Sequence, residues 1–314
     1  MHLNWTKKED RIMKTRHIIP AILLVLAACQ QMELEQPTPE TNPEEVQQAP
    51  DSLFTLTVQA TKGEADTKAL DLTNEGATLG AYWKDTEKVK VYKEGTLLGT
   101  LDVTPASGEK PTSATLSGSI TTTGLSEGNT LTLMIPRETW SYTGQTGTLT
   151  GTGSIEDTYD YATATVTIAS ISGSTVTTTG SANFQNQQSV YRFGFKLSGS
   201  YIDPKDFTVS AAGGLLVQSL SYEGSAWTPQ LGPLTITPAS APADHFYYVA
   251  LRNGSTAADT YNFILTSSDD KLYMASKGIP ASVLDAPGKF ISAKNITAVQ
   301  PAFSPADATT DTAL

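Results

Sequence analysis

The fold class of this chain is clearest in the stretch YRFGFKL, residues 191–197. Aromatic or aliphatic side chains occupy every second position and alternate with Arg, Gly and Lys, which is the period of a half-buried β-strand. The stretch FTLTVQA, residues 54–60, repeats this period with Phe, Leu, Val and Ala on one face. Similar patterns predict further strands at 89–92, 131–135, 164–168, 215–220, 246–251, 261–265, 272–274 and 290–299.

The composition also favours an antiparallel all-β protein. Thr, whose branched side chain suits pleated surfaces, is frequent, and 24 Gly and 17 Pro provide for many turns. The Gly/Thr-rich run 143–154 lacks the lysine of a phosphate-binding loop, so we predict a hairpin or loop there. Because no window has the pattern of a long amphipathic helix, the sequence predicts two antiparallel β-sandwich domains.

Charge and the scarcity of Cys and His argue against several classes of function. The chain has 21 Lys and Arg against 32 Asp and Glu, a net charge of −11, which argues against nucleic acid as a partner. Its single cysteine, Cys29, rules out an internal disulfide. Of the three histidines only His245 lies beyond residue 28. We therefore predict no catalytic residue, no metal site and no cofactor, and we expect that the protein is not an enzyme.

The N-terminal region has the pattern of a bacterial lipoprotein signal. A basic segment after Met13, which we take as the true start, leads into the apolar run 18–28. That run is too short to span a bilayer and has the length of a signal-peptide core. Ala28 directly precedes Cys29 in the run LAAC. We predict a signal peptide over residues 1–28, cleavage between Ala28 and Cys29, and lipidation of Cys29.

Changes in composition divide the rest of the chain. Residues 29–50 are rich in Glu, Pro and Gln, without a basic or aromatic residue, and predict an extended acidic tether. The polar run 181–188 is poor in strand pattern and suggests a boundary between domains. We predict an N-terminal β-sandwich domain over 51–185 and a C-terminal one over 186–314.

Two features leave alternatives open. His245 follows Asp244, but a lone histidine before a strand is more typical of a surface turn than of a catalytic triad. Trp83, Trp140 and Trp227 could form an exposed platform for sugars, although such residues more often pack in a core.

Several short motifs together resemble the fimbrillin family, the type V pilins and related lipoproteins of Bacteroidota. The lipoprotein signal and tether lead into a first strand and then into a Thr-Lys-Ala step at residues 67–69. The segment AYWKDTEKVKVY, residues 81–92, is similar to an aromatic and acidic segment of that family, and LDAPGKF, residues 284–290, is similar to its late turn and strand. Residues 191–197 resemble the first strand of its C-terminal domain.

This resemblance implies a fold and a mode of assembly. The fold would be two antiparallel sandwiches of Greek-key, transthyretin-like topology. The precursor would reach the outer membrane as a lipoprotein, and a protease would cut after a basic residue behind the first strand. Here that residue would be Lys68, with Lys62 as second choice, in a segment 61–74 that we expect to be exposed. Partners would be other fimbrial subunits, joined by β-strand exchange, and a host or bacterial surface ligand.

Other features depart from the family pattern. The cleavage step in the stalk subunits more often carries arginine, whereas this chain has Lys68. Residues 302–314 are rich in Ala, Thr and Asp and contain a proline, which makes them a poor donor strand, so the donor would be 291–299. The sequence therefore leaves open a stalk, anchor, accessory or tip role. The alternative function is a monomeric surface glycan-binding lipoprotein.

Overall fold

Regular structure is almost entirely β-strand, as the alternating sequence pattern predicts. The computed structural model describes residues 51–62, 81–135, 139–284 and 287–301. Of the described residues, 59% lie in strands and 4% in helices. The described helical segments are a π-helical turn, Ile155–Tyr159, and one α-helical turn, Ala281–Leu284. The all-β prediction is confirmed, and the run 143–154 is a loop, as expected.

The strands are numbered in chain order. The first nine are β1 (Ser52–Lys62), β2 (Lys88–Lys93), β3 (Thr96–Pro105), β4 (Ser113–Thr122), β5 (Thr130–Ile135), β6 (Thr139–Ser141), β7 (Ala162–Ser172), β8 (Thr175–Thr179) and β9 (Ala182–Asn186). The following ten are β10 (Ser189–Leu197), β11 (Ser200–Ile202), β12 (Asp206–Ala211), β13 (Val217–Glu223), β14 (Ala226–Leu231), β15 (Leu234–Ile236), β16 (Tyr247–Leu251), β17 (Asp259–Thr266), β18 (Leu272–Ile279) and β19 (Phe290–Val299).

The first sheet closes on itself. Its strands follow the order β4-β3-β2-β5-β7-β8-β1-β9, and β1 also pairs with β4, so the strand at one end of this path meets a strand near the other end. The enclosed core is mostly aliphatic, with Leu, Val, Ile and Ala from every strand of the sheet. This core also contains two aromatic side chains, Trp83 and Phe184, which pack edge-on with 5.2 Å between their ring centroids.

The second sheet has an aromatic core. Its strands follow the order β11-β10-β19-β18-β17-β12-β15, and β16 pairs with β10. The inward side chains of β10 meet rings from other strands: Phe193 lies 5.0 Å from Phe263, and Phe195 lies 5.2 Å from Phe207, both edge-on. Residues 191–197 form most of β10, so the strand predicted there is confirmed.

A small third sheet adds a strand from the first half of the chain to the second core. Its order is β14-β13-β6, so β6, which precedes β7 in the chain, pairs with a strand of the second half. Trp140 on β6 and Tyr161 belong to the same buried cluster as the rings of β10. The β2–β3 turn also reaches the β13–β14 turn, where a Cβ on Gly95 would lie 2.4 Å from the backbone nitrogen of Ser225.

The predicted division after residue 185 falls within β9, one residue before that strand ends. β9 ends at Asn186 and belongs to the first sheet, whereas β10 belongs to the second. The prediction that 181–188 is poor in strand is wrong, because Ala182 and Phe184 alternate into the core at 0% exposure while β9 pairs with β1 and β7. The domains 51–185 and 186–314 stay a prediction, since residues 140–161 contribute to the second core.

Candidate functional site

The predicted first strand forms and occupies a central place in the first sheet. β1 is antiparallel to β4 from Ser52 opposite Thr122 to Thr61 opposite Ser113. Its other side is parallel to β8 and, further along, to β9. Both backbone edges of β1 are therefore paired, and β1 is the strand through which the sheet closes.

β1 contributes one face to the core and one to the surface. Leu56, Val58 and Ala60 are 0%, 1% and 2% exposed. The residues between them are polar and exposed, and Gln59 donates a hydrogen bond from Nε2 to Thr115 of β4 at 3.2 Å. The inward apolar side chains of β1 become smaller from Leu56 to Val58 to Ala60.

Lys62 continues the inward face of β1 at the next position of period two, and it is buried. Its side chain is 4% exposed, and its ammonium forms an ion pair with Glu87. Asp160 Oδ2 lies 3.5 Å from Nζ, and the carbonyl oxygen of Tyr82 accepts a hydrogen bond at 3.2 Å. Nζ also lies 4.8 Å from the centre of the Trp83 ring. We call these four partners of Lys62 the lysine socket.

Contacts within the body of the protein hold the socket in place. The backbone N–H of Lys84 donates to Glu87 Oε2 at 2.8 Å, and the N–H of Trp83 donates to the carbonyl of Pro111 at 2.8 Å. The Lys84 ammonium in turn lies 2.6 Å from Glu156. Because these contacts do not involve β1, the socket is built by the rest of the first sheet and its loops.

Electrostatics at the socket depend on the burial of Glu87. Burial raises the pKa of the Glu87 carboxyl above its ordinary value, although the charge and hydrogen bond of Lys62 act to lower it. Asp160 adds to the rise by repulsion between like charges. A charged Glu87 is therefore costly here, and the ammonium of Lys62 offsets part of that cost.

Of the predicted site residues, only Lys62 lies within the part of the chain that the structure describes. Ala28, Cys29 and Lys68 lie outside the described residues, so lipidation and cleavage there stay predictions. For Lys62 we expected an exposed position, and the structure corrects this: the side chain is buried and ion-paired at the end of a strand. A trypsin-like protease needs an extended, accessible basic side chain, which the folded protein does not offer at Lys62.

Sequence reasoning missed the socket, although one signal was present. Lys62 stands on the same face as Leu56, Val58 and Ala60, and a lysine on a core-facing position needs a buried partner. The identity of the partners was not predictable from the alternation, because Glu87 and Asp160 follow 25 and 98 positions later in the chain.

Other candidate residues in the second half have structural contacts. His245 Nδ1 lies 2.7 Å from Asp203 Oδ2 rather than against its neighbour Asp244, and its ring stacks on Tyr201 at 5.5 Å. Trp83 and Trp140 are buried at 2% and 0% exposure. The exposed sugar platform considered for the tryptophans is therefore wrong for these two residues.

Trp227 packs partly buried against the second core, 4.0 Å from the ring centre of Trp140. Its contact with another indole is typical of core packing rather than of an open stacking surface.

Two further findings concern metal and membrane features in the described part of the chain. These residues contain no group of three or more His, Cys, Asp or Glu placed to hold a metal ion. Among the same residues there is no helix of the length and apolar character needed to cross a bilayer.

Comparison with solved structures gives distant neighbours among proteins of Bacteroidales. They include a candidate cell adhesion protein from Bacteroides eggerthii, with 12% identity, a TM-score of 0.41, and coverage of 80% of this chain and 88% of that one. A fimbrial assembly protein from Parabacteroides distasonis has 10% identity, a TM-score of 0.31 and coverage of 77% and 90%. A candidate adhesin from Bacteroides ovatus has 11% identity, a TM-score of 0.34 and coverage of 78% and 87%.

Sequence comparisons add no further relative. No family model matches the chain, and no curated protein matches it.

Proposed function

We propose that this protein is a structural or accessory subunit of a fimbria anchored to the outer membrane, and that it serves adhesion without catalysing a reaction. It would be exported as a lipoprotein, held by lipid on Cys29, and assembled by strand exchange after a protease removes β1. The observation that supports this proposal most is the position of β1, which closes the first sheet and is joined to β2 through a segment that contains Lys68.

Loss of β1 would create a binding groove for another strand. The backbone edge of β4, paired with β1 over ten residues, would lose its partner, and so would the facing parts of β8 and β9. Unpaired edges beside an apolar groove are a ready template for an incoming strand. A donor that supplies alternating apolar side chains would restore the hydrogen bonds and fill the positions of Leu56, Val58 and Ala60.

The test uses the chain from residue 30 to 314 and limiting trypsin. We expect one early cut after Lys68, located by mass spectrometry, and no early cut after the buried Lys62. Release of β1 should then lead to oligomers that resist denaturant and are visible by size-exclusion chromatography and negative-stain microscopy. A Lys68→Gln chain, which keeps β1 and the socket unchanged, is the matched control and should remain monomeric.

A different result would contradict the proposal. If trypsin removed β1 and the product, mixed with candidate subunits from the same cell surface, stayed monomeric and folded, strand exchange would be wrong. The partner of such a chain would then be sought among surface ligands, such as glycans.

A further inference from the structure

The lysine socket is built entirely from residues outside β1. Tyr82, Trp83 and Glu87 lie just before β2, and Asp160 follows the π-helical turn, so none of the socket residues belongs to the removable strand. In the structure its ligand is the ammonium of Lys62. The socket thus lies at one end of the groove that a new strand would enter.

An empty socket is costly. Two carboxylates, from Glu87 and Asp160, are brought to the same ammonium, with side chains that are only 17% and 23% exposed. Removing one partner of a buried ion pair leaves an uncompensated charge, which destabilises more than the pair itself stabilises. An apolar side chain in place of Lys62 would leave Glu87 and Asp160 without a cation, so that they either stay charged at a cost or take up a proton.

We propose that the lysine socket selects the strand that fills the groove, by requiring a Lys or Arg two residues after a small residue. This inference rests on the strand exchange proposed above and specifies the partner. In β1, Leu56, Val58, Ala60 and Lys62 share one face. A donor strand would match this face with a large apolar residue, a medium one, a small one and a cation at successive second positions.

One consequence concerns self-association. Residues 302–314 contain no Lys or Arg, whereas residues 291–299, the donor considered above, carry Lys294 two positions after the small residue Ser292. A second copy therefore meets the requirement of the socket through 291–299 and not through 302–314.

The experiment measures which strand the groove accepts. A recognition site for a specific protease is placed within residues 63–80 of the full chain, which is then cut so that β1 stays bound but is no longer covalently attached. Fluorescent peptides of residues 52–62 are added, with the native Lys62, with Lys62→Arg or with Lys62→Met, and exchange is followed by anisotropy.

We expect the Lys and Arg peptides to bind alike and the Met peptide to bind at least about tenfold more weakly, or about 1.4 kcal/mol. In a Glu87→Gln chain this preference should fall below about threefold. Equal binding of the Lys and Met peptides to the native chain would overturn selection by the socket, while strand exchange itself would stand.

Failure of strand exchange is distinguished by a second measurement. If no peptide replaces β1, the proposed assembly is wrong, and the socket is tested in the uncut chain by a double-mutant cycle of Lys62→Met and Glu87→Gln. If the two side chains interact, the melting temperature of the double variant should fall by clearly less than the sum of the decreases in the two single variants. Additive shifts would overturn the socket as a cation site.

Discussion

β1 and β10 have the same sequence pattern but different roles in packing. Each alternates apolar and polar residues, and each is paired along both edges. The inward residues of β1 are Leu56, Val58 and Ala60, whereas those of β10 are aromatic: Tyr191, Phe193 and Phe195, at 1%, 0% and 0% exposure.

Each buried aromatic ring covers far more surface than an alanine or valine, and adds edge-to-face contacts with its neighbours. The comparison teaches that alternation defines a strand, while the size of its inward side chains decides how firmly it is held.

The two strands also differ in the contacts they make beyond their inward apolar side chains. β1 ends in a buried ion pair at Lys62, a contact that depends on charge and geometry. At the centre of β10, Gly194 leaves room for a ring, because a Cβ there would lie 2.6 Å from Phe246 Cε1. Phe246 therefore covers the outer face of β10, and Arg192 lies 3.9 Å from its ring centre. β10 is packed on both faces, whereas β1 is packed on one.

The largest effect is expected from truncating the aromatic core. Phe195→Ala should lower the free energy of unfolding by about 4 kcal/mol, because it leaves a cavity among Phe207, Phe263 and Phe193. Chemical denaturation followed by tryptophan fluorescence measures the change. Ile264→Ala, at a position that is 50% exposed in the same sheet, should cost less than about 1 kcal/mol. Similar losses for both variants would mean that the second core does not depend on its rings.

The next effect is expected in β1. Leu56→Ala should lower the free energy of unfolding by about 3 kcal/mol, because it removes the largest fully buried apolar side chain of β1. It should also increase the rate at which trypsin releases the strand. Leu53→Ala in the same strand, where the side chain is 63% exposed, is the matched control and should leave both quantities nearly unchanged. If Leu56→Ala lowered stability without any change in release, β1 would unfold only together with the whole domain.

A smaller effect is expected where the β2–β3 turn meets the β13–β14 turn. Gly95→Ala should destabilise by about 2 kcal/mol, because its φ of +83° disfavours a side chain and the new Cβ would meet the β13–β14 turn. Gly128→Ala has a similar φ of +82° but open space around it, so it should cost about 1 kcal/mol. Thermal unfolding measures the loss of stability in both variants, and the difference between the two losses is the part due to the contact between the turns. Equal costs would show that this contact adds nothing to stability.

The smallest effect concerns pH at the socket. Because the pKa of Glu87 is raised in the folded protein by burial, the folded state holds a proton that the unfolded state has already lost. This group therefore stabilises the fold below its unfolded pKa, and the contribution is lost as pH rises through the folded pKa.

Glu87→Gln should remove that fall in stability, which denaturation at a series of pH values from acid to neutral would reveal. Glu127→Gln, at an exposed position in the β4–β5 loop, should leave the slope as in the native chain. If the stability of Glu87→Gln fell with rising pH as steeply as that of the native chain, the assignment of this pH dependence to Glu87 would be wrong.

Alternation identified strands such as β1 and β10, but it missed others. β12 was missed although Phe207, Val209 and Ala211 alternate into the core. β4 contributes only Ala114, Leu116 and Ile120 to the core, separated by Ser, Thr and Gly, and its pairing with β1 and β3 decides its structure. β9 was missed for the same reason, since two inward residues, Ala182 and Phe184, are too short a pattern to recognise.

The sequence by itself determined that the protein is all-β, that residues 54–60 and 191–197 are strands, and that a chain with one cysteine has no internal disulfide. These properties follow from local alternation and composition, which act over a few residues. Only the tertiary structure decided that β1 closes the first sheet, that β6 crosses to the second half, and that Lys62 is buried against Glu87 and Asp160. Such contacts join residues far apart in the chain, and the pairing of strands and charges across those distances depends on the packing of the complete sheet.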